Sequence, residues 1–218
     1  MRPINKGVTP KIYTDYRQAK DELIKRLGHY CSYCEMNISN QADIEHVVPK
    51  SKIPELEFEW DNFLLGCKTC NIIKSNKNDD RKDYPFPDEY NTAYLFRYEN
   101  GKVKIREGLS VEDEKMARNL FELVQLDRRK NTNGQIDDRI RIREKSYDKA
   151  KDSLEDYLIC KVPQMVNQIA RSPEGFFSIW LEVFKDYPEV KKAILEQVPG
   201  TAMECYDENI NPKKNIKR

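Results

Sequence analysis

The chain has no apolar run approaching the roughly 18 residues of a membrane span, which removes integral membrane functions from consideration. Its opening residues carry Lys6 and Lys11 without an apolar core, so they do not read as a secretory leader. The expected location is the cytoplasm, where disulfides are disfavoured and paired cysteines read as metal ligands. Net charge is almost lacking, at +1, so bulk charge gives no sign of a nucleic-acid partner. There is no P-loop and no internal repeat. Histidine is scarce: His29 and His46 are the only two.

What is present is a polar but foldable chain of 218 residues, 34% charged and 39% hydrophobic, with a mean hydropathy of −0.83. Twelve tyrosines and eight phenylalanines argue against disorder, and the length suits one ordinary domain or two small ones. Charge is uneven locally. Arg2, Lys6, Lys11, Arg17, Lys20, Lys25 and Arg26 outnumber Asp15, Asp21 and Glu22 near the start, and Lys213, Lys214, Lys217 and Arg218 crowd the end. Such patches either meet phosphates or form solvated basic faces.

Residues 1–12, holding Pro3, Gly7 and Pro10, read as an extended arm. Tyr16, Ala19, Leu23 and Leu27 recur at helical spacing, so a helix is expected over 15–27 and stops at Gly28. A polar run from Ser75 to Asp83, then Pro85 and Pro87, marks a boundary, giving expected domains at 1–85 and 86–218. Alternating residues at 93–98 and 102–106 flank Asn100-Gly101, a strong hairpin signal. Ser110 followed by Asp113 predicts a capped helix running through Met116, Leu120 and Val124 to Leu126. A long helix is expected over 137–160, burying Ile140, Tyr147, Ala150, Leu154, Tyr157 and Leu158. Ser172-Pro173 opens another, with Phe176, Phe177, Trp180, Val183 and Phe184 inward, and 189–198 follows after Pro188. The fold class is α+β, a zinc-braced core followed by a mainly helical domain with one hairpin.

The chemistry concentrates in residues 29–78. Cys31 and Cys34 form one CxxC knuckle and Cys67 and Cys70 a second. Each knuckle turns two thiolates to one side, and two of them complete the four-sulfur tetrahedron of a structural Zn²⁺. Cys160 and Cys205 lack such partners and read as buried or half-buried thiols. Between the knuckles lie Asp43-Ile44-Glu45-His46, Pro49-Lys50 and Trp60-Asp61-Asn62, and Asn71 and Lys74 follow the last cysteine. A strand through Glu45 and His46, a second over Phe63–Gly66 and a helix from Cys70 to Ser75 bring His46, Glu45 and Asn71 near one another.

Those residue types suit phosphodiester hydrolysis. A neutral imidazole takes a proton from water near pH 7. Glu45 and Asn71 offer the hard oxygens that Mg²⁺ or Mn²⁺ prefers. Asn62 is positioned to orient the imidazole, and Lys74, a helical turn beyond Asn71, to meet a phosphate oxygen. His29 reads as a packing or hydrogen-bonding residue.

Taken together, Cys31, Cys34, Glu45, His46, Pro49, Asn62, Cys67, Cys70, Asn71 and Lys74 resemble the HNH (ββα-metal, treble-clef-like) endonucleases. His46 stands at the family's first histidine and Asn62 at its asparagine. Glu45 replaces the more usual Asp, and Asn71 the second His. Both changes imply weaker binding of the catalytic ion and a need for millimolar Mg²⁺ or Mn²⁺. Further along the chain, Met1–Gly7, Tyr30–Glu35, Trp60–Leu65, Leu126-Asp127-Arg128 and Pro199-Gly200-Thr201 resemble the HNH effectors of Septu-type and retron-associated anti-phage systems. That resemblance implies a nucleic-acid substrate, an ABC-type ATPase partner and, in retron versions, a reverse transcriptase with its RNA–DNA product. It also implies that the helical half is a docking surface. The alternative is a zinc-stabilised nucleic-acid-binding or adaptor subunit whose HNH site is idle.

Overall fold

The computed structural model describes residues 1–214, so Lys217 and Arg218 of the basic C-terminal cluster fall outside the described residues. Asp15 caps the first helical segment by accepting the Arg17 N–H. A 3₁₀ turn over Tyr16–Ala19 leads into α1 (Lys20–Leu27), which buries Leu23 and Leu27. Gly28, at a φ of 74°, ends it while donating to Ile24 O. Strands β1 (Asp43–His46) and β2 (Phe63–Gly66) pair antiparallel, with Glu45 opposite Leu64 and His46 opposite Phe63. Alternation along β1 turns Asp43 and Glu45 to one face, Ile44 and His46 to the other. Helix α2 (Lys68–Lys74) lies against Glu45. It starts two residues before the expected Cys70, because the Cys67 sulfur caps it by accepting the Cys70 N–H.

After this ββα unit come α3 (Thr92–Leu95), β3 (Phe96–Glu99), β4 (Lys102–Ile105), α4 (Val111–Leu123), α5 (Asp138–Ile159), α6 (Pro163–Ala170), α7 (Phe177–Val183) and α8 (Pro188–Glu196). Strands β3 and β4 form the expected hairpin, with Asn100 and Gly101 both at positive φ as a type I′ turn requires. Residues 93–95 were expected as strand but make a helical turn, because Asn91 O accepts the Tyr94 N–H and closes that turn ahead of β3. Ser110 caps α4 as expected, but the helix stops at Leu123, because Gln125 sits at a φ of 45°. The segment after Ser172-Pro173 is not helical until Phe177: Gly175 and Phe176 both have positive φ. Helix α6, opened by Pro163, had no counterpart in the expected elements. On α5, Ala150 and Tyr157 are buried as expected, but Leu158 is exposed and Arg139 and Arg143 are buried in its place.

The expected boundary after residue 85 lies inside one continuous core. Leu23, Leu27, the four knuckle cysteines, Phe63 and Leu65 share a cluster with Phe96, Leu120, Phe176 and Ile179. A second cluster joins Trp180, Phe184, Val190 and Ile194 to Ala150, Tyr157 and Ile169. Two backbone approaches tie the halves together. Ile4 of the arm bridges Thr201. Gly175 lies so close to the first knuckle that a Cβ there would meet Glu35 O at 2.6 Å. Among the described residues no helix is long and apolar enough to cross a membrane.

Candidate active site

The frame comes first. The sulfurs of Cys31, Cys34, Cys67 and Cys70 are all buried and lie within 4.8 Å of one another. Cys34 and Cys67 sulfurs stand 3.7 Å apart, close to the ~3.8 Å edge of a tetrahedron with Zn–S bonds of about 2.3 Å. The donor set fits one structural Zn²⁺. Arg139, fully buried on α5, donates to the Cys70 sulfur at 3.4 Å and to Val124 O and Gln125 O. Burial works against its charge, yet the Cys70 sulfur and the Asp137 carboxylate hold its pKa above the ordinary value. The helical half therefore supplies a cation to the knuckles.

Behind β1, Glu45 is buried at 2% exposure and pairs with Lys74 Nζ at 2.7 Å. Burial pushes the Glu45 carboxyl up to about 7, with Lys74 pulling the other way. Lys74 also donates to His46 O at 2.8 Å, tying α2 to the end of β1. The structure thus turns Lys74 inward, away from the phosphate-facing position expected of it. Asn71, half-buried and fourth in α2, lies beside Gly66. A Cβ on Gly66 would meet the Glu45 Cβ at 3.2 Å and the Asn71 Cβ at 3.8 Å. The bare glycine lets β2 pack closely against those two residues, both of which carry oxygen donors of the hard class that Mg²⁺ or Mn²⁺ prefers.

His46 is held differently. Its Nε2 lies 3.0 Å from Glu57 O, and since a carbonyl only accepts, Nε2 carries the hydrogen. Nδ1 is then the basic nitrogen. Burial lowers the imidazole pKa, partly offset by the Glu57 bond. The ring packs edge-on against Tyr16, centroids 4.9 Å apart, and Phe63, 5.3 Å apart. Asn62 does not reach the imidazole as the sequence suggested. Its Oδ1 accepts Val48 N–H and its Nδ2 donates to Val48 O and Leu56 O, which clamps the loop that presents Glu57 O. Asn62 instead braces the loop next to the Glu57 carbonyl that the ring meets.

Other expectations are revised by burial. Arg2 and Lys6 are inside: Arg2 donates to Leu27 O, Pro199 O and Thr201 Oγ1, and Lys6 to Asp61 O, Phe63 O and Asp88. Neither is available to a phosphate. His29 is exposed, which separates it from the packed site, and Cys160 is exposed while Cys205 is buried. Sequence reasoning missed Glu57 and Tyr16. A backbone carbonyl leaves no trace in residue type, and a lone tyrosine in a helical pattern reads as core.

Residues 31–77, which hold both knuckles and the ββα unit, match the HNH endonuclease family. The ββα unit and the four-cysteine frame thus lie in a segment similar to HNH endonuclease domains. Over 64 residues the chain is 33% identical to the Septu protein PtuB of Bacillus thuringiensis, a stretch covering 28% of this chain and 24% of that relative. The chain thus spans about a quarter of the length of the curated relative it matches.

Proposed function

We propose that this chain is a metal-dependent endonuclease that hydrolyses phosphodiester bonds of nucleic acid, DNA or a structured RNA such as a tRNA. The observation that carries the reading is the His46 ring, its Nε2–H fixed on Glu57 O and its Nδ1 left as a base, at the end of the strand that also carries Glu45. His46 takes the proton of the attacking water at Nδ1. Tyr16 and Phe63 fix the plane of the ring, and Asn62 fixes the loop that fixes its tautomer. Glu45 and Asn71 would hold Mg²⁺ or Mn²⁺, with Lys74 pairing the Glu45 carboxylate. When bound, such an ion supplies charge to the scissile phosphate and the leaving oxygen. Similarity to a Septu protein supports a place in anti-phage defence. A cytoplasmic location, an ABC-type ATPase partner and, in retron versions, a reverse transcriptase are proposed on the motif resemblance alone. The helical half is the proposed docking surface for these partners.

The test is direct. His46→Ala should abolish Mg²⁺- or Mn²⁺-dependent cleavage and phage protection while leaving zinc content and helicity unchanged. Cleavage at the wild-type rate by that variant would make the HNH site idle and favour a binding or adaptor role.

A further inference from the structure

His46 belongs to a closed ring of contacts whose other members are unassigned. Its Nε2–H donates to Glu57 O, and the Glu57 carboxylate pairs with Lys50 Nζ at 2.8 Å. Lys50 Nζ in turn sits 4.5 Å over the Tyr16 ring, and Tyr16 packs edge-on against His46. Lys50 is nearly half exposed and, unlike Lys74, has no buried partner. Two other charged groups face it, Arg17 and Asp15, which pair with each other on the surface at 2.6 Å. Exposed pairs of this kind contribute about 0–1 kcal/mol, so a phosphate displaces them at little cost.

Resting on the nuclease reading above, we propose that Lys50 is the phosphate grip beside the general base and that Tyr16 is its positioning residue. Lys50 leaves Glu57 for a backbone phosphate next to the scissile one, while the Tyr16 ring keeps both the ammonium and the imidazole in place. Arg17 extends the same positive rim by exchanging Asp15 for a second phosphate. The ligand class is a polyphosphodiester read through its backbone, which demands strong salt dependence.

Binding is measured in the cleavage-silent His46→Ala full chain, with a short fluorescein-labelled DNA duplex and an RNA of the same sequence as probes. Adding Lys50→Ala should lower the slope of log affinity against log salt by about 1, adding Arg17→Ala by about 1 more, and adding the exposed Lys192→Ala by nothing. In the otherwise wild-type chain, Lys50→Ala should raise KM with kcat little changed. Tyr16→Ala should lower kcat about 10- to 100-fold and raise KM no further than Lys50→Ala does, and Tyr16→Phe should restore both. A parent that binds neither probe, or a Lys50→Ala slope equal to the parent's, overturns the grip. A Tyr16→Ala effect confined to KM overturns the positioning role. Failure of the nuclease reading is separate, since it appears as a wild-type chain that binds but does not cut.

Discussion

The two sides of β1 carry neighbouring residues in opposite circumstances. On one side Glu45 is sealed under α2, its charge met by Lys74 at full burial and the zinc knuckles closing the end. On the other side His46 is half-buried, held by a carbonyl and two rings, and the charges around it are exposed and exchangeable. The contrast separates two tasks. In the metal-ligand role proposed for Glu45, fixed neighbours would preorganise the carboxylate before an ion arrives, and they are costly to change. A base and its phosphate contacts must meet a substrate, so they sit where pairs are weak.

Substitutions that break this contrast should rank by burial. Cys67→Ser removes a zinc ligand and the cap of α2 together. It should lose the metal and unfold the ββα unit, since zinc binding of about 10–16 kcal/mol in small zinc domains is folding energy. Metal analysis with circular dichroism would show it, and a folded variant of normal helicity would contradict the frame. Lys74→Met comes next. It strands Glu45 in the interior and should cost about 3–5 kcal/mol in urea unfolding, with Glu45→Leu added recovering much of the loss. Asn62→Ala breaks two buried bonds and one part-buried bond of the loop behind His46. It should cost about 1–3 kcal/mol and lower kcat, although Asn62 does not touch the ring.

Acid unfolding sharpens the same comparison. Burial raises the Asp88 pKa, but Lys6 and Arg81 hold it below 3.8. A carboxylate depressed in the folded state contributes stability above its unfolded pKa and loses it as pH falls through the lower folded value. The Asp88→Asn variant should therefore be less stable than wild type near neutral pH, and the gap should close below about pH 4. The smallest effect belongs to the open side: Lys50→Ala should change stability by under about 1 kcal/mol.

Much of the frame was legible because its signals are local. Two CxxC knuckles, the Asn100-Gly101 turn and the Ser110 cap each announce a backbone geometry within a few residues. The site was readable only as a set of residue types, of which Glu45 and Asn71 both lie against Gly66. What failed was direction. Lys74 reads as a surface lysine at helical spacing, and only the register of α2 on β1 turns it inward. Asn62 and His46 are brought near each other, but a loop carbonyl intervenes. Buried Arg139 and Arg143 were also unreadable, since Arg139 reaches the Cys70 sulfur 69 residues away in sequence and Arg143 reaches the Leu126 carbonyl across the fold. Ends of helices moved wherever a residue such as Gln125 or Phe176 took a positive φ that its type does not advertise.

The central claim is that His46 is held with Nε2 protonated on Glu57 O and Nδ1 bare. With only two histidines in the chain, ¹⁵N spectra of the imidazoles assign cleanly once a His29→Gln variant removes the other. At neutral pH the His46 ring should show the Nε2–H tautomer and titrate below the ordinary 6.5. An Nδ1–H tautomer, or a pKa above 6.5, would contradict the account.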